Sequence, residues 1–202
     1  PLINADALDI SADALREHSP TTLNAAAETP PAAPPNKLVS NLPYAVAATV
    51  TLDYLQRFAF LESATIMVQK EVADRMTARP GTKAYGAYTV KLRLYAQPAG
   101  RFPVSPGNFF PPPRVESSVI RLNRIDCGLT PPQRAAACLM ADAAFATRRK
   151  TIANSCKTFF GGYGPAGKAV VAALPDIFAA AGIDPKRRGE SLSVEEFQRL
   201  GA

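Results

Sequence analysis

Two hydrophobic periods alternate along the first part of the chain. Apolar residues crowd into short runs at KLVS (37–40) and ATIMVQ (64–69), which predicts strands. In AVAATVTLDYLQRF (45–58) they recur at helical spacing, at Val46, Val50, Tyr54, Leu55 and Phe58. KEVADRM (70–76) predicts a further helix, broken at Arg79-Pro80-Gly81. GAYTVKLRLYA (86–96) predicts another, with Tyr88, Leu92 and Tyr95 on one side. RFPV (101–104) and SSVIRLNRI (117–125) read as strands around SPGNFFPPP (105–113), whose prolines demand a fixed loop. NADALDI (4–10) reads as a strand end running into a loop. LREHSPTTLNAAAETPPAAPPN (15–36) reads as a loop or mobile insertion of low complexity. Strands alternating with helices predict an α/β layer architecture.

The character changes near Asp126. TPPQRAAACLMADAAFATRRKTIANSCKTFFGG (130–162) is Ala-rich and helical, with Gly161-Gly162 as the expected carboxyl cap. GKAVVAALPDIFAAAG (167–182) adds helix. SVEEFQRL (193–200) opens with Ser193 and Glu196 spaced as a capping box, and Val194, Phe197 and Leu200 form its stripe. Two domains are therefore expected: residues 1–125, and a small all-helical domain over 126–202.

With 47% hydrophobic residues, 202 positions can bury a real core. No apolar run approaches the ~18 residues of a membrane span, and PLINADALDI lacks a signal peptide's basic and apolar regions. The three cysteines, Cys127, Cys138 and Cys156, are widely spaced, and His18 is the only histidine. No metal site is expected, and free thiols fit a reducing, cytoplasmic setting. Charge is unevenly spread. Residues 1–69 hold three Lys/Arg against seven Asp/Glu, and residues 70–202 hold twenty against ten. Such a basic excess suits a polyanion, as it also suits a solvated surface.

The most informative short stretch is Asn41-Leu42-Pro43-Tyr44, immediately after the KLVS strand. Proline stops the strand, which leaves an amide, a rigid kink and an aromatic ring at its carboxyl end, where open α/β sheets bind ligands. These residue types suit methyl transfer to an exocyclic amino group of a base. The lone pair of such an amine is delocalised into the ring, so the amine must be held. The Asn41 side-chain oxygen and the Leu42 carbonyl can accept its two hydrogens and turn the lone pair toward an incoming methyl. Pro43 fixes the turn and Tyr44 offers a flat face. Asn does not titrate, so this is positioning rather than base catalysis. Four residues alone are equally what a structural strand-to-helix turn over a core tyrosine would show.

NLPY, VQKEVADRM, KAYG, NFFPPPRVESSVIRL, AFATRRKTIANSCK and GIDPKRRGESLSVEEF together resemble the small-subunit ribosomal RNA adenine N6,N6-dimethyltransferases, in the family's order. The resemblance implies a Rossmann-like class I methyltransferase sheet followed by a helical, rRNA-binding domain. It implies S-adenosylmethionine as methyl donor, no metal, and two adjacent adenines near the 3′ end of small-subunit rRNA as acceptors. Assembling small subunits are the implied partner, met by a monomer. Asn41, Leu42, Pro43 and Tyr44 then correspond to the target-adenine motif, and Phe109 to the aromatic opposite Tyr44, with Phe110 its near rival. Asp6 resembles the acidic residue that accepts from the donor's adenine, with Ala7 beside it and Asn41 also near the donor. Arg148, Arg149, Lys150 and Lys157 fall in the segment that resembles the rRNA-contacting region. On a helix over IANSCKTFF, Ile152, Cys156 and Phe159 would face inward, and Arg149, Ala153 and Lys157 outward.

One departure stands out. The family's Gly-rich donor loop and ribose-binding carboxylate do not precede Asp6, so the sheet is expected to be N-terminally incomplete here and donor binding weak. Two other readings follow: a non-catalytic RNA-binding or ribosome-assembly factor that keeps the base pocket, and a large-subunit methyltransferase of the resistance type. FFPPPRVESS and RRKTIANS fit the small-subunit family better.

Overall fold

A computed structural model describes residues 2–18 and 33–202. Residues 19–32, most of the Ala/Pro-rich segment, lie outside the described residues. The elements run α1 (Ala12–Glu17), β1 (Lys37–Asn41), α2 (Ala47–Arg57), β2 (Ser63–Gln69), α3 (Lys70–Thr77), α4 (Ala87–Arg93), β3 (Ala96–Val104), β4 (Ser117–Arg124), α5 (Pro131–Phe145), α6 (Ile152–Gly161), α7 (Gly164–Ala181) and α8 (Val194–Gly201). The chain divides into two compact units, Pro1–Ala73 with Ala96–Arg124, and Asp74–Tyr95 with Ile125–Ala202.

The first unit is a four-stranded sheet in the order β1-β2-β4-β3. β1 runs parallel to β2, while β4 is antiparallel to both β2 and β3. Parallel neighbours need a crossover, and α2 supplies it. On one face, Ala64, Ile66 and Val68 of β2 and Ile120 and Leu122 of β4 are fully buried. Period-2 alternation puts these residues on one side of the pleat. α2 contributes Val50, Tyr54 and Phe58, packed with Leu38 of β1 and with Ala7, Ile10 and Leu15. Arg124 at the end of β4 donates to the Leu55 and Phe58 carbonyls (2.9 and 2.7 Å), satisfying the last acceptors of α2. Residues 4–10 are not a strand. Asp6 Oδ1 accepts from Leu8 N (2.9 Å) and closes a turn, and Ser11 then caps α1 through Ala14 N. Val46, assigned by spacing to the buried stripe of α2, precedes the helix and is exposed.

The second unit is all-helical. Tyr85 and Val90, from the α4 region, share one core with Met140, Ile152, Cys156, Phe160, Leu174, Phe178 and Phe197. The long Ala-rich run is two helices: Thr151 caps α6 through Asn154 N (3.4 Å), and Thr147 N donates to Ser155 Oγ (3.0 Å) across the break. Within α6 the inward residues are Ile152, Ser155, Cys156 and Phe160, whereas Phe159 is half-buried. Gly162 ends α6 with φ −79°, so the left-handed glycine cap falls elsewhere, at Gly182 (φ +66°) after α7. The Ser193/Glu196 capping box forms in both directions, at 3.2 and 2.8 Å.

Candidate active site

The parallel β1 ends at Asn41, paired with Met67, and Pro43 prevents its continuation. The turn that follows is tied down by the Pro43 carbonyl, which accepts from Val46 N and Ala47 N, each at 3.1 Å. Asn41 and Pro43 are exposed, and Leu42 and Tyr44 are half-buried. The Pro-rich connection between β3 and β4 brings Phe109 to the same place. Asn41, Leu42, Pro43, Tyr44 and Phe109 line one cavity of about 350 Å³. The two phenylalanines are thereby separated: Phe109 is half-buried in the lining, while Phe110 is 101% exposed outside it.

Tyr44 does not swing freely. Its Oη lies 2.6 Å from Ser117 Oγ, at the start of β4, where Ser117 is 1% exposed. Ser117 thus sets the orientation of the ring, and nothing in the local sequence around Tyr44 signals it. Asp6 and Ala7 do not line the cavity. Asp6 caps its own turn, and the Ala7 carbonyl accepts from Tyr54 Oη at 2.9 Å. Burial raises the Tyr54 phenol above its ordinary value, consistent with a hydroxyl used as a donor.

The basic candidates lie in the helical unit and are not equivalent. Arg148 Nε donates to Glu190 Oε2 (2.9 Å) and its Nη2 to the Thr82 carbonyl (3.2 Å), so its fork is occupied. Arg149 and Lys150 are exposed in the turn between α5 and α6, and Lys157 is exposed on α6. In the Lys186-Arg187-Arg188 run, Arg187 is also occupied, reaching Glu196 Oε2 (3.0 Å) and the Ser191 carbonyl (2.7 Å). Its own carbonyl accepts from Ile152 N at 2.7 Å, so a first-turn amide of α6 is already satisfied. Cys138 and Cys156 are buried, which pushes their thiols up to about 11 and about 12 and leaves them unreactive at neutral pH. Among the described residues, no group of three or more His, Cys, Asp or Glu could hold a metal ion. No described helix is long and apolar enough to cross a membrane.

Residues 2–196 match the family model described as "Ribosomal RNA adenine dimethylase". Relatives named "Ribosomal RNA small subunit methyltransferase A" include that of Kineococcus radiotolerans, 41% identical over 85% of this chain and 55% of its own length. That of Enterococcus faecalis is 38% identical over 82% of this chain and 55% of its own length. The chain spans about half the length of the curated relatives it matches. Among solved structures, a dimethyladenosine transferase from Plasmodium falciparum superposes with a TM-score of 0.65 at 20% identity, over 82% of this chain and 65% of that one. The 23S rRNA methyltransferase ErmE superposes with a TM-score of 0.56 at 20% identity, over 82% and 63%. These two show the fold alone, a Rossmann-like methyltransferase sheet with helices. On the family match, which spans nearly all of its residues, the chain belongs to the ribosomal RNA adenine dimethylase family.

Proposed function

We propose that the cavity at the end of β1 is the acceptor site of an S-adenosylmethionine-dependent rRNA adenine N6,N6-dimethyltransferase. Its acceptors are two adjacent adenines near the 3′ end of small-subunit rRNA in assembling subunits. The observation that carries this reading is the joint lining of one cavity by the Asn41–Tyr44 turn and Phe109. An adenine unstacked from RNA fits between the Tyr44 and Phe109 rings, and such stacking returns about 1–3 kcal/mol of the unstacking energy. The Asn41 side-chain oxygen and the Leu42 carbonyl accept from the N6 hydrogens, which directs the nitrogen lone pair out of the ring plane. Ser117 keeps Tyr44 in position through its 2.6 Å hydrogen bond. The donor supplies an electrophilic methyl group when bound. Asp6 suits its adenine end, because Leu8 N already orients the exposed carboxylate.

Residues 126–202 serve, in this reading, as the rRNA-binding domain, through Arg149, Lys150 and Lys157, with Arg148 shaping the turn that presents the first two. Family membership favours catalysis over a non-catalytic assembly role. The test is labelled-methyl transfer to undermethylated small subunits by the gene's full product, with mapping of the modified bases. Label on two adjacent adenines, lost with Tyr44→Ala and Phe109→Ala, is the expected result. Transfer that is indifferent to both substitutions would remove this cavity from the reaction.

A further inference from the structure

At the corner between α6 and α7 of the helical unit, Tyr163 is 59% exposed and stands outside that unit's core. We propose that its ring is a stacking platform for an unpaired base of single-stranded rRNA, whose phosphates follow the cations along α6. The proposal rests on the reading above that residues 126–202 bind rRNA.

Three observations carry it. The first is the mounting of the ring. Tyr163 lies 5.2 Å from Phe159 and 6.4 Å from Phe160, centroid to centroid, and Phe159 meets Phe160 edge-on at 5.1 Å. The backbone beneath is closed as well. Tyr163 N donates to the Phe160 carbonyl at 2.9 Å, and the Tyr163 carbonyl accepts from Gly167 N at 3.3 Å. A Cβ at Gly167 would stand 2.8 Å from Tyr163 Cβ and collide with the Phe160 carbonyl. The ring is thus braced by Phe159 yet open to solvent, and its neighbours Gly162 and Gly164 carry no side chain to cover it. Unpaired RNA bases stack on such rings, and a ring already held in place loses little freedom in doing so. The second observation is charge. Between Asp142 and Asp176 the chain carries five Lys/Arg and no Asp/Glu. Two of these, Lys157 on α6 and Lys168 on α7, flank the corner in sequence. Both are exposed, and neither is ion-paired among the described residues. The third is reach. α6 has 10 residues, about 15 Å of helix, with Arg149 and Lys150 before its start, Lys157 midway and Tyr163 just past its end. A strand whose phosphates meet the first two can follow the helix to the corner. A flat ring beside cations suits a nucleic-acid strand better than an acidic protein segment, which offers the charge but no base to stack.

The chain has no tryptophan, so Tyr163→Trp in the 202-residue chain places a single indole at the corner. Its emission should be quenched by a single-stranded dodecaribonucleotide and much less by a duplex of the same length, whose bases are already stacked. Tyr163→Leu, which keeps an apolar side chain against Phe159, should weaken binding of the single strand by roughly 5- to 150-fold, the loss of one base–aromatic stack. Its log–log salt slope should hold, because stacking releases no counterions, whereas Lys157→Gln should lower the slope by about 0.7. Tyr163→Phe should bind as the parent does. Emission of the Tyr163→Trp variant that ignores a saturating single strand, or parental affinity in Tyr163→Leu, would overturn the platform. Equal quenching by strand and duplex would overturn its preference for an unpaired base. In either case, a slope still lowered by Arg149→Ala with Lys150→Ala would leave the rRNA-binding reading intact. A slope that neither this pair nor Lys157→Gln changes would overturn that reading and the platform with it.

Discussion

The sheet unit and the helical unit both crowd polar side chains into the turns that follow their elements, but they use them differently. At the ends of β1 and β4, Asn41 is exposed toward a cavity, and the buried Ser117 spends its hydroxyl on positioning Tyr44. In the helical unit, the polar groups at comparable turns largely satisfy one another. Arg148 is taken up by Glu190 and Thr82, and Arg187 by Glu196 and Ser191, while within the helices Lys91 of α4 is taken up by Asp142 of α5 at 2.8 Å. Formal charge therefore overstates what the helical unit can offer a polyanion, whereas the uncharged NLPY turn is where the chemistry is proposed. A preorganised neutral acceptor in a cavity is worth more to a reaction than a cation already paired.

Removing Asn41 gives the largest effect that separates the two regions. Asn41→Ala should cut methyl transfer by about 10²–10³-fold, the scale of a lost preorganised polar contact, and leave RNA affinity nearly unchanged. Single-turnover transfer and filter binding on the same preparation check both halves. Equal rates for variant and parent would take Asn41 out of the chemistry. Phe110→Ala is the matched control: its ring is fully exposed, so its melting temperature should stay at the parental value.

The helical unit answers to salt. Replacing Arg149, Lys150 and Lys157 together should flatten the log–log salt dependence of rRNA binding by about two to three units, if each touches a phosphate. Arg148→Ala should do the reverse of what its place in the basic run implies. It loses the Glu190 pair and the Thr82 contact, so thermal stability falls while the slope holds. A slope change from Arg148→Ala equal to that of Arg149→Ala would erase the distinction between paired and exposed cations.

Much of this was legible in the sequence because it is local. Apolar period located β1, β2 and β4 and the second half of β3, proline ended β1 at Asn41, and the Ser193/Glu196 spacing marked the start of α8. The NLPY turn was singled out by residue type and Phe109 by the family resemblance, and together they line one cavity. What escaped was set by partners distant in the chain. Ser117 looks like any strand serine until Tyr44 reaches it. Asp74–Tyr95 reads as a helical return between strands, yet Tyr85 and Val90 are buried with Met140 and Ile152, and Tyr85 Oη donates to the Leu192 carbonyl at 2.9 Å. Periodicity reports that a helix has an apolar face but not what covers it. Equally, no count of arginines could tell Arg148 from Arg149.

Close packing gives a smaller but still distinct prediction for the helical unit. A Cβ at Gly201 would collide with the Gln133 carbonyl and sit 2.7 Å from Ala137 Cβ, where α8 meets α5. Gly201→Ala should therefore lower stability by about 1–3 kcal/mol, despite alanine's better helix propensity. Gly161→Ala, where a Cβ meets nothing within 4 Å, should be neutral or mildly stabilising in the same denaturant titration. Equal stabilities for the two variants would mean that the α5–α8 contact yields without cost.

The smallest effect concerns acid. Arg187 hydrogen-bonds Glu196 and holds its carboxyl below the ordinary carboxylate value. A carboxylate whose folded value is lowered adds stability that is present above its unfolded value and is lost as pH falls through the folded one. Glu196→Gln keeps the capping geometry, because glutamine serves the same position in a capping box, but it removes the charge facing Arg187. At neutral pH the variant should be less stable by roughly 0.5–1 kcal/mol, since the pair is partly open to water, at 34% and 16% side-chain exposure. As pH falls below the carboxylate range, parent and variant melting temperatures should converge. No comparable convergence is expected for Ser117→Ala in the sheet unit, where the 2.6 Å bond to Tyr44 joins two hydroxyls and no ion pair. A gap between parent and Glu196→Gln that stays constant from neutral to acid pH would show that the charge of Glu196 facing Arg187 adds no stability.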